Sequence, residues 1–220
     1  MKITLITTTC DRPHHLWECA LSVANQLTSP HQWIIYVDDE LEKYQLILPK
    51  IKLIVPQAEI ITNGKIGRVN ALAYAHQFVK GDWVGWLDDD DWLDHRCLTM
   101  FQKYRDYASF IYTDFYEVRN GRAKIGERNT EPYSYKRLLE NNIVFHFRLF
   151  ETALYESVGG VDLTFDTTMD YELSLRLLKK ATPLKINQPL YYYRIHRDRI
   201  SAKLQHRQKE NFKRAVEKNK

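Results

Sequence analysis

The chain has 220 residues, a net charge of +4 and 13% aromatic residues. Its length suffices for one substantial core, its charge is too slight to argue for nucleic acid, and it holds no apolar run of membrane-spanning length. Cys10, Cys19 and Cys97 have neither paired nor metal-ligand spacing, which predicts three small buried thiols in a reducing compartment. Met1-Lys2-Ile3-Thr4 leads straight into a strand-like run rather than a signal peptide, so the expected setting is cytoplasmic.

Ile3 to Thr8 is a β-branched run expected to form a buried strand. Asp11-Arg12-Pro13 then reads as a helix start with Asp11 as cap. Leu16, Ala20, Val23 and Leu27 continue it at helical spacing until Ser29-Pro30. Trp33 to Val37 is a second strand, ending in Asp38-Asp39-Glu40. A weak helix is expected near Leu41 to Leu48, with short strands at Lys52–Val55 and Glu59–Thr62. After the turn-rich loop Asn63 to Arg68, Asn70 to Val79 is helical. Trp83 to Leu87 then forms a central strand that ends in four adjacent carboxylates, Asp88 to Asp91. Such a cluster is costly unless water or a cation screens it. It reads either as a divalent-metal site at the strand's carboxyl end or as a solvated acidic loop.

The first ninety residues thus alternate strand and helix, the pattern of an α/β protein with a mostly parallel central sheet flanked by helices. The second half is mixed. Helices are expected at Leu98–Tyr107, Tyr135–Asn141, Glu151–Val158 and from about Asp170. Phe110–Arg119, Asn120-Gly121 and Arg122–Gly126 read as a hairpin. Phe145–Phe150 and Tyr191–Ile195 are strand-like, and the basic tail from Ser201 is helix-prone with a thin apolar face of Leu204, Phe212 and Val216. One domain is expected over 1–220: an alternating strand–helix front half (1–95), a mixed back half (96–200) and a basic tail (201–220).

Four segments in order carry a family resemblance. They are Ile6-Thr7-Thr8-Thr9-Cys10-Asp11-Arg12-Pro13, Ile34-Ile35-Tyr36-Val37-Asp38-Asp39, Gly81-Asp82-Trp83 through Asp91-Trp92-Leu93, and Gly159-Gly160-Val161-Asp162 with Met169-Asp170-Tyr171-Glu172-Leu173. Together they resemble the inverting glycosyltransferases of family 2, over most of the chain from Ile3 to about Ser201. The resemblance implies the GT-A fold, with a Rossmann-like front half and a mixed acceptor-side half. It also implies a nucleoside-diphosphate sugar donor, UDP-linked by default, and a glycan or lipid-linked acceptor. The activity implied is a hexosyltransferase-like transfer in bacterial surface polysaccharide or lipopolysaccharide synthesis.

By the same resemblance, Thr8, Thr9, Arg12, Asp38, Asp39, Lys65, Arg68, Asp88 and Asp89 contact the nucleotide. The DxD segment Asp88-Asp89-Asp90 holds Mn²⁺ or Mg²⁺, with Asp90 the foremost ligand and Asp88 and His196 beside it. Asp170 is the catalytic base. Tyr193-Arg194-Ile195-His196 with Ser201 matches the closing segment. Two departures stand out: Met169 replaces a Glu, and Val69 separates Arg68 from Asn70, leaving Lys65 and Arg68 as rival nucleotide contacts.

The chemistry suits these residue types. Alternation along an extended segment puts Asp88 and Asp90 on one side, and all-oxygen ligands favour Mg²⁺ or Mn²⁺. A carboxylate at a helix start is kept ionised to accept the acceptor's proton. His14 and His15 read as surface residues, His146 as structural, and Glu172 as solvent-facing or as a brace for Arg176. The rivals are a sugar nucleotidyltransferase and an inactive nucleotide-sugar-binding protein. An EF-hand fails, because Leu93 and Thr99 stand where Gly and Glu are required.

Overall fold

A computed structural model of the chain describes residues 1–128, 132–196 and 204–220. Ser201 lies outside the described residues. The front half is four parallel strands in spatial order β3-β2-β1-β4: β1 (Ile3–Thr9), β2 (Gln32–Val37), β3 (Ala58–Ile61) and β4 (Trp83–Trp86). Buried on both faces, β1 and β2 are almost continuously apolar or β-branched. Successive residues feed opposite faces. Leu5, Trp33 and Ile35 pack under α1 (Pro13–Ala24), α2 (Leu48–Ile54) and α4 (Cys97–Tyr104). Ile6, Ile34, Tyr36 and Val84 pack with α3 (Arg68–His76) and α7 (Met169–Leu178).

Beyond β4 the sheet becomes mixed. β8 (Arg148–Glu151) runs antiparallel to both β4 and β6 (Phe110–Arg119), and β9 (Leu184–Arg194) runs parallel to β6. β5 (Trp92–Leu93) pairs with β9, and β7 (Arg122–Ile125) closes the expected hairpin on β6. The crossing from β4 to β8 is tight: a Cβ at Gly85 would collide with the side chains of Leu149 and Phe147. Short helices α5 (Tyr135–Glu140) and α6 (Thr152–Ser157) flank this half, and α8 (Gln205–Asn219) ends the chain.

Several local expectations fail for physical reasons. Asp11 does not cap α1. It sits at φ 56° and Arg12 takes the cap position, because Lys43 and Lys65 draw the Asp11 carboxylate outward. That helix stops at Ala24, not Ser29. Lys52–Val55 is largely α2 rather than strand, since Ile51 and Val55 must turn one helical face to the core. Leu41–Leu48 forms only a short 3-10 turn, Leu41–Tyr44. Of the two readings of Glu172, the brace for Arg176 holds and the solvent-facing one does not. Glu172 is fully buried, held by Arg176 at 2.7 Å and Lys218 at 2.8 Å.

Candidate active site

The carboxyl ends of β1, β2 and β4 open into a cavity of about 530 Å³. Each strand delivers polar residues where its apolar run stops. β1 brings Thr8 and Thr9, and the turn after it brings Arg12. β2 brings Asp38, and β4 is followed by Asp88, Asp89 and Asp90. All of these line the cavity, as do Arg68, at the start of α3, and Asp170, at the start of α7.

The acidic cluster is divided by its partners. Asp91 is buried, and both its oxygens are committed to β9: one accepts from Tyr191 Oη at 2.7 Å, the other from the Arg194 backbone at 2.7 Å. Asp89 accepts from Thr9 Oγ1 at 2.8 Å and from Arg12 at 3.3 Å. Burial raises Asp89 to about 7, with the neighbouring Asp90 charge adding to the effect. Asp88 pairs with Arg68 at 2.5 Å. Burial raises it too, against the pull of Arg68. Asp90 meets Arg12 at 2.5 Å and His196 Nε2 at 2.9 Å. Carboxylate oxygens of Asp88, Asp90 and Asp91 lie within 4.8 Å of one another, and of these Asp88 and Asp90 face the cavity, where they could share one oxygen-ligated cation. An all-carboxylate donor set fits Mg²⁺ or Mn²⁺ better than Zn²⁺.

Asp38 and Asp39, adjacent in sequence, point apart. Asp38 Oδ1 accepts from the backbone N–H groups of Ile66 at 2.6 Å and Gly67 at 3.0 Å, fixing the loop before α3 at the cavity wall. Gly67 permits that turn, with φ at 85°. Asp39 is not among the cavity-lining residues. It accepts from the Asp11 backbone at 3.0 Å and from Lys43 at 3.0 Å. Burial opposes its ionisation, but the Lys43 hydrogen bond and backbone donors hold it at about 2. Lys65 is exposed and lies 3.8 Å from Asp11, so Arg68, not Lys65, enters the cavity.

Across from the cluster, Thr168 takes a left-handed conformation, φ 65°, and α7 begins at the next residue. This places Asp170 in the first turn. Its chief partner comes from β8 rather than from the helix: Arg148 donates to Asp170 Oδ2 at 2.7 Å and to Ser174 Oγ at 2.9 Å. Burial opposes charge on Asp170, but the Arg148 guanidinium overrides it and holds the carboxyl far below its usual range. His146 sits between the two walls, with Nε2 3.9 Å from Asp88 and its ring stacked on Tyr191. Burial, with the nearby Arg148 charge, keeps its imidazole neutral.

Sequence reasoning missed His146 and Arg148 as site residues. The available signal was two polar residues at alternate positions of an aromatic run, Phe145-His146-Phe147-Arg148. Cys10, expected to be buried, is half-buried and lines the cavity, whereas Cys19 and Cys97 are buried. His15 is not a simple surface residue. Its ring lies 5.4 Å from that of His196, and burial, then His14, lowers it to about 4.

Arg148→Gln provides a test of this pairing. With the countercharge gone, burial drives the Asp170 pKa upward. In the native protein the depressed pKa contributes stability above pH about 4, the ordinary carboxyl value, and loses it as pH falls. The variant should already lack that contribution at pH 7. Urea midpoints measured from pH 3 to 8 should therefore fall at neutral pH and converge toward wild type in acid.

Three comparisons bear on this arrangement. The model of the family described as Glycosyl transferase family 2 matches residues 4–158. The chain is 25% identical over 202 residues to a chondroitin synthase of Pasteurella multocida (strain Pm70), covering 90% of this chain and 21% of that protein. It is 26% identical over 206 residues to a chondroitin synthase of Escherichia coli, covering 92% and 30%. The chain therefore spans less than a third of these relatives. The crystal structure of S. aureus TarS 1–349 in complex with UDP superposes with a TM-score of 0.79 at 15% identity, over 98% of this chain and 64% of that one.

Proposed function

The chain belongs to glycosyl transferase family 2 and has the GT-A fold, and from that premise we propose that it transfers a sugar, with inversion, from a UDP-sugar to a glycan hydroxyl. The observation that carries this reading is the facing of two chemically unlike walls in one cavity. Asp88 to Asp90 with Arg12 and Arg68 form one wall; Asp170, paired with Arg148, stands on the other.

In this mechanism Thr8, Thr9 and Asp38 bound the nucleotide, and Arg12 and Arg68 face its diphosphate. Asp88 and Asp90, with His196 beside Asp90, would hold Mg²⁺ or Mn²⁺. A bound cation of that kind offsets the negative charge of a departing diphosphate. Asp170 is ionised and takes the proton of the attacking hydroxyl, which enters on the face opposite the diphosphate. Arg148 keeps that carboxylate aimed and charged. UDP as the nucleotide is supported by the complex formed by TarS. A role in bacterial polysaccharide synthesis is supported by the chondroitin synthases named above.

Stereochemistry tests the reading without knowledge of the acceptor. Slow transfer from a UDP-α-hexose to water, followed by ¹H NMR, should show the β-sugar first and the α-anomer only as mutarotation proceeds. First appearance of the α-sugar rules out direct displacement.

Contact with anionic lipid through the basic tail is a secondary part of the proposal. No described helix is long and apolar enough to cross a membrane. Phe212 and Val216 of α8 pack against the protein core, so only the exposed basic side, including Lys209 and Lys213, is left for lipid. Lys209→Glu/Lys213→Glu should abolish cosedimentation with anionic liposomes at low salt. Unchanged cosedimentation would remove the membrane from the account.

A further inference from the structure

The tail helix α8 is built into the cavity rather than solvated beside it. Asn211 is buried, and its amide donates to Asp166 Oδ1 at 2.9 Å and to the hydroxyl and carbonyl of Thr167, at 2.9 Å and 3.1 Å. Arg207 pairs with Asp166 at 2.6 Å, and Lys218 with Asp162 at 2.6 Å. The helix thus clamps the segment that leads through the left-handed Thr168 into Asp170. A β-branched residue held at positive φ marks a strained turn that its surroundings must enforce.

Two side chains of α8, one turn apart, reach the cavity wall on the Asp170 side. Phe212 stacks on Tyr171 with ring centroids 4.7 Å apart. Gln208 is half-buried and lines the cavity, and its side-chain amide has no hydrogen-bond partner among the described residues. Thr167, Thr168 and Asp166, whose carboxylate is paired with Arg207 and Asn211, complete this corner. Its character contrasts with the opposite wall, where Asp88 to Asp90 meet Arg12 and Arg68. A primary amide both donates and accepts, and ring faces with neutral hydroxyls suit a neutral polyhydroxylated ring rather than a phosphate.

We propose that α8 forms the acceptor wall of this cavity, with the Gln208 amide hydrogen-bonding a hydroxyl of a pyranose acceptor that Phe212 flanks. The assignment rests on the glycosyltransferase reading above and adds to it the wall that receives the acceptor and its specificity residue. Among the described residues no hydrogen bond joins the Gln208 side chain to Asp170 or the acidic cluster, so its loss should spare the donor side.

The test is saturation-transfer NMR on the full chain with UDP and Mg²⁺. The probes are methyl pyranosides of glucose, galactose and N-acetylglucosamine, with that of glucuronic acid as the charged comparison. Wild type should bind at least one. Gln208→Leu should weaken that binding about tenfold, the loss expected for one hydrogen bond left unmade, with UDP affinity unchanged. Gln208→Glu, which keeps the accepting oxygens, should recover part of the loss. Equal pyranoside binding by wild type and Gln208→Leu, or no pyranoside bound by wild type, overturns the assignment. In either case intact UDP binding leaves the donor-site reading standing, whereas loss of UDP binding by wild type would overturn that reading instead.

Discussion

Asp170→Asn should lower sugar transfer by about 10³-fold, within the range ascribed to a positioned general base, while UDP affinity stays within about twofold of wild type. Asparagine has nearly the same shape, and its carbonyl oxygen can still accept from Arg148, which donates at 2.7 Å to the native carboxylate. What is lost is the negative charge that takes the proton. Removing it also leaves the buried Arg148 guanidinium uncompensated, so the variant should be less stable, by up to about 3 kcal/mol. Circular dichroism and a denaturation midpoint separate that effect from chemistry. A variant that folds, binds UDP and still transfers at wild-type rate would remove Asp170 from the base role. Loss of UDP binding in folded protein would place it on the donor side instead.

Asp90→Ala should act on the opposite wall and through binding. The substitution removes a carboxylate whose neighbours are Arg12, His196 and the Asp88 and Asp91 oxygens. The expected loss is at least tenfold in UDP affinity measured with Mg²⁺ or Mn²⁺, in line with the cost of disturbing a metal site. Without metal, wild type and variant should differ far less. Part of the loss will be self-limiting. The Asp90 charge helps raise Asp89 to about 7, so its removal lets Asp89 ionise more readily. Isothermal titration with and without the cation reads both effects. A variant with the same metal response as wild type would exclude Asp90 as a ligand.

The parts of the site legible in the sequence are those set by local chain geometry. An apolar strand that stops in carboxylates announces itself, and Asp88 to Asp91 and Asp38 are found where such runs end. The start of α7 at Met169 is likewise a local feature. What stayed hidden depends on which way neighbouring side chains turn and on partners distant in sequence. Asp38 and Asp39 separate because Lys43 and the Asp11 backbone hold one outside while the loop before α3 takes the other. Arg68 lines the cavity because it begins a helix beside Asp88, whereas Lys65 stays in an exposed loop. Arg148 reads as one more strand residue until the fold brings β8 beside α7. The tail gave a thin apolar stripe but not its destination, which only the stack of Phe212 on Tyr171 and the Asn211 clamp reveal.

The most direct test of the central claim, that this cavity is a metal-assisted nucleotide-sugar site, is isothermal titration of UDP into the wild-type chain with and without Mn²⁺. The account predicts one UDP per chain, bound at least tenfold more tightly with the cation present. Absence of UDP binding in folded protein, with Mn²⁺ at saturating concentration, would contradict it.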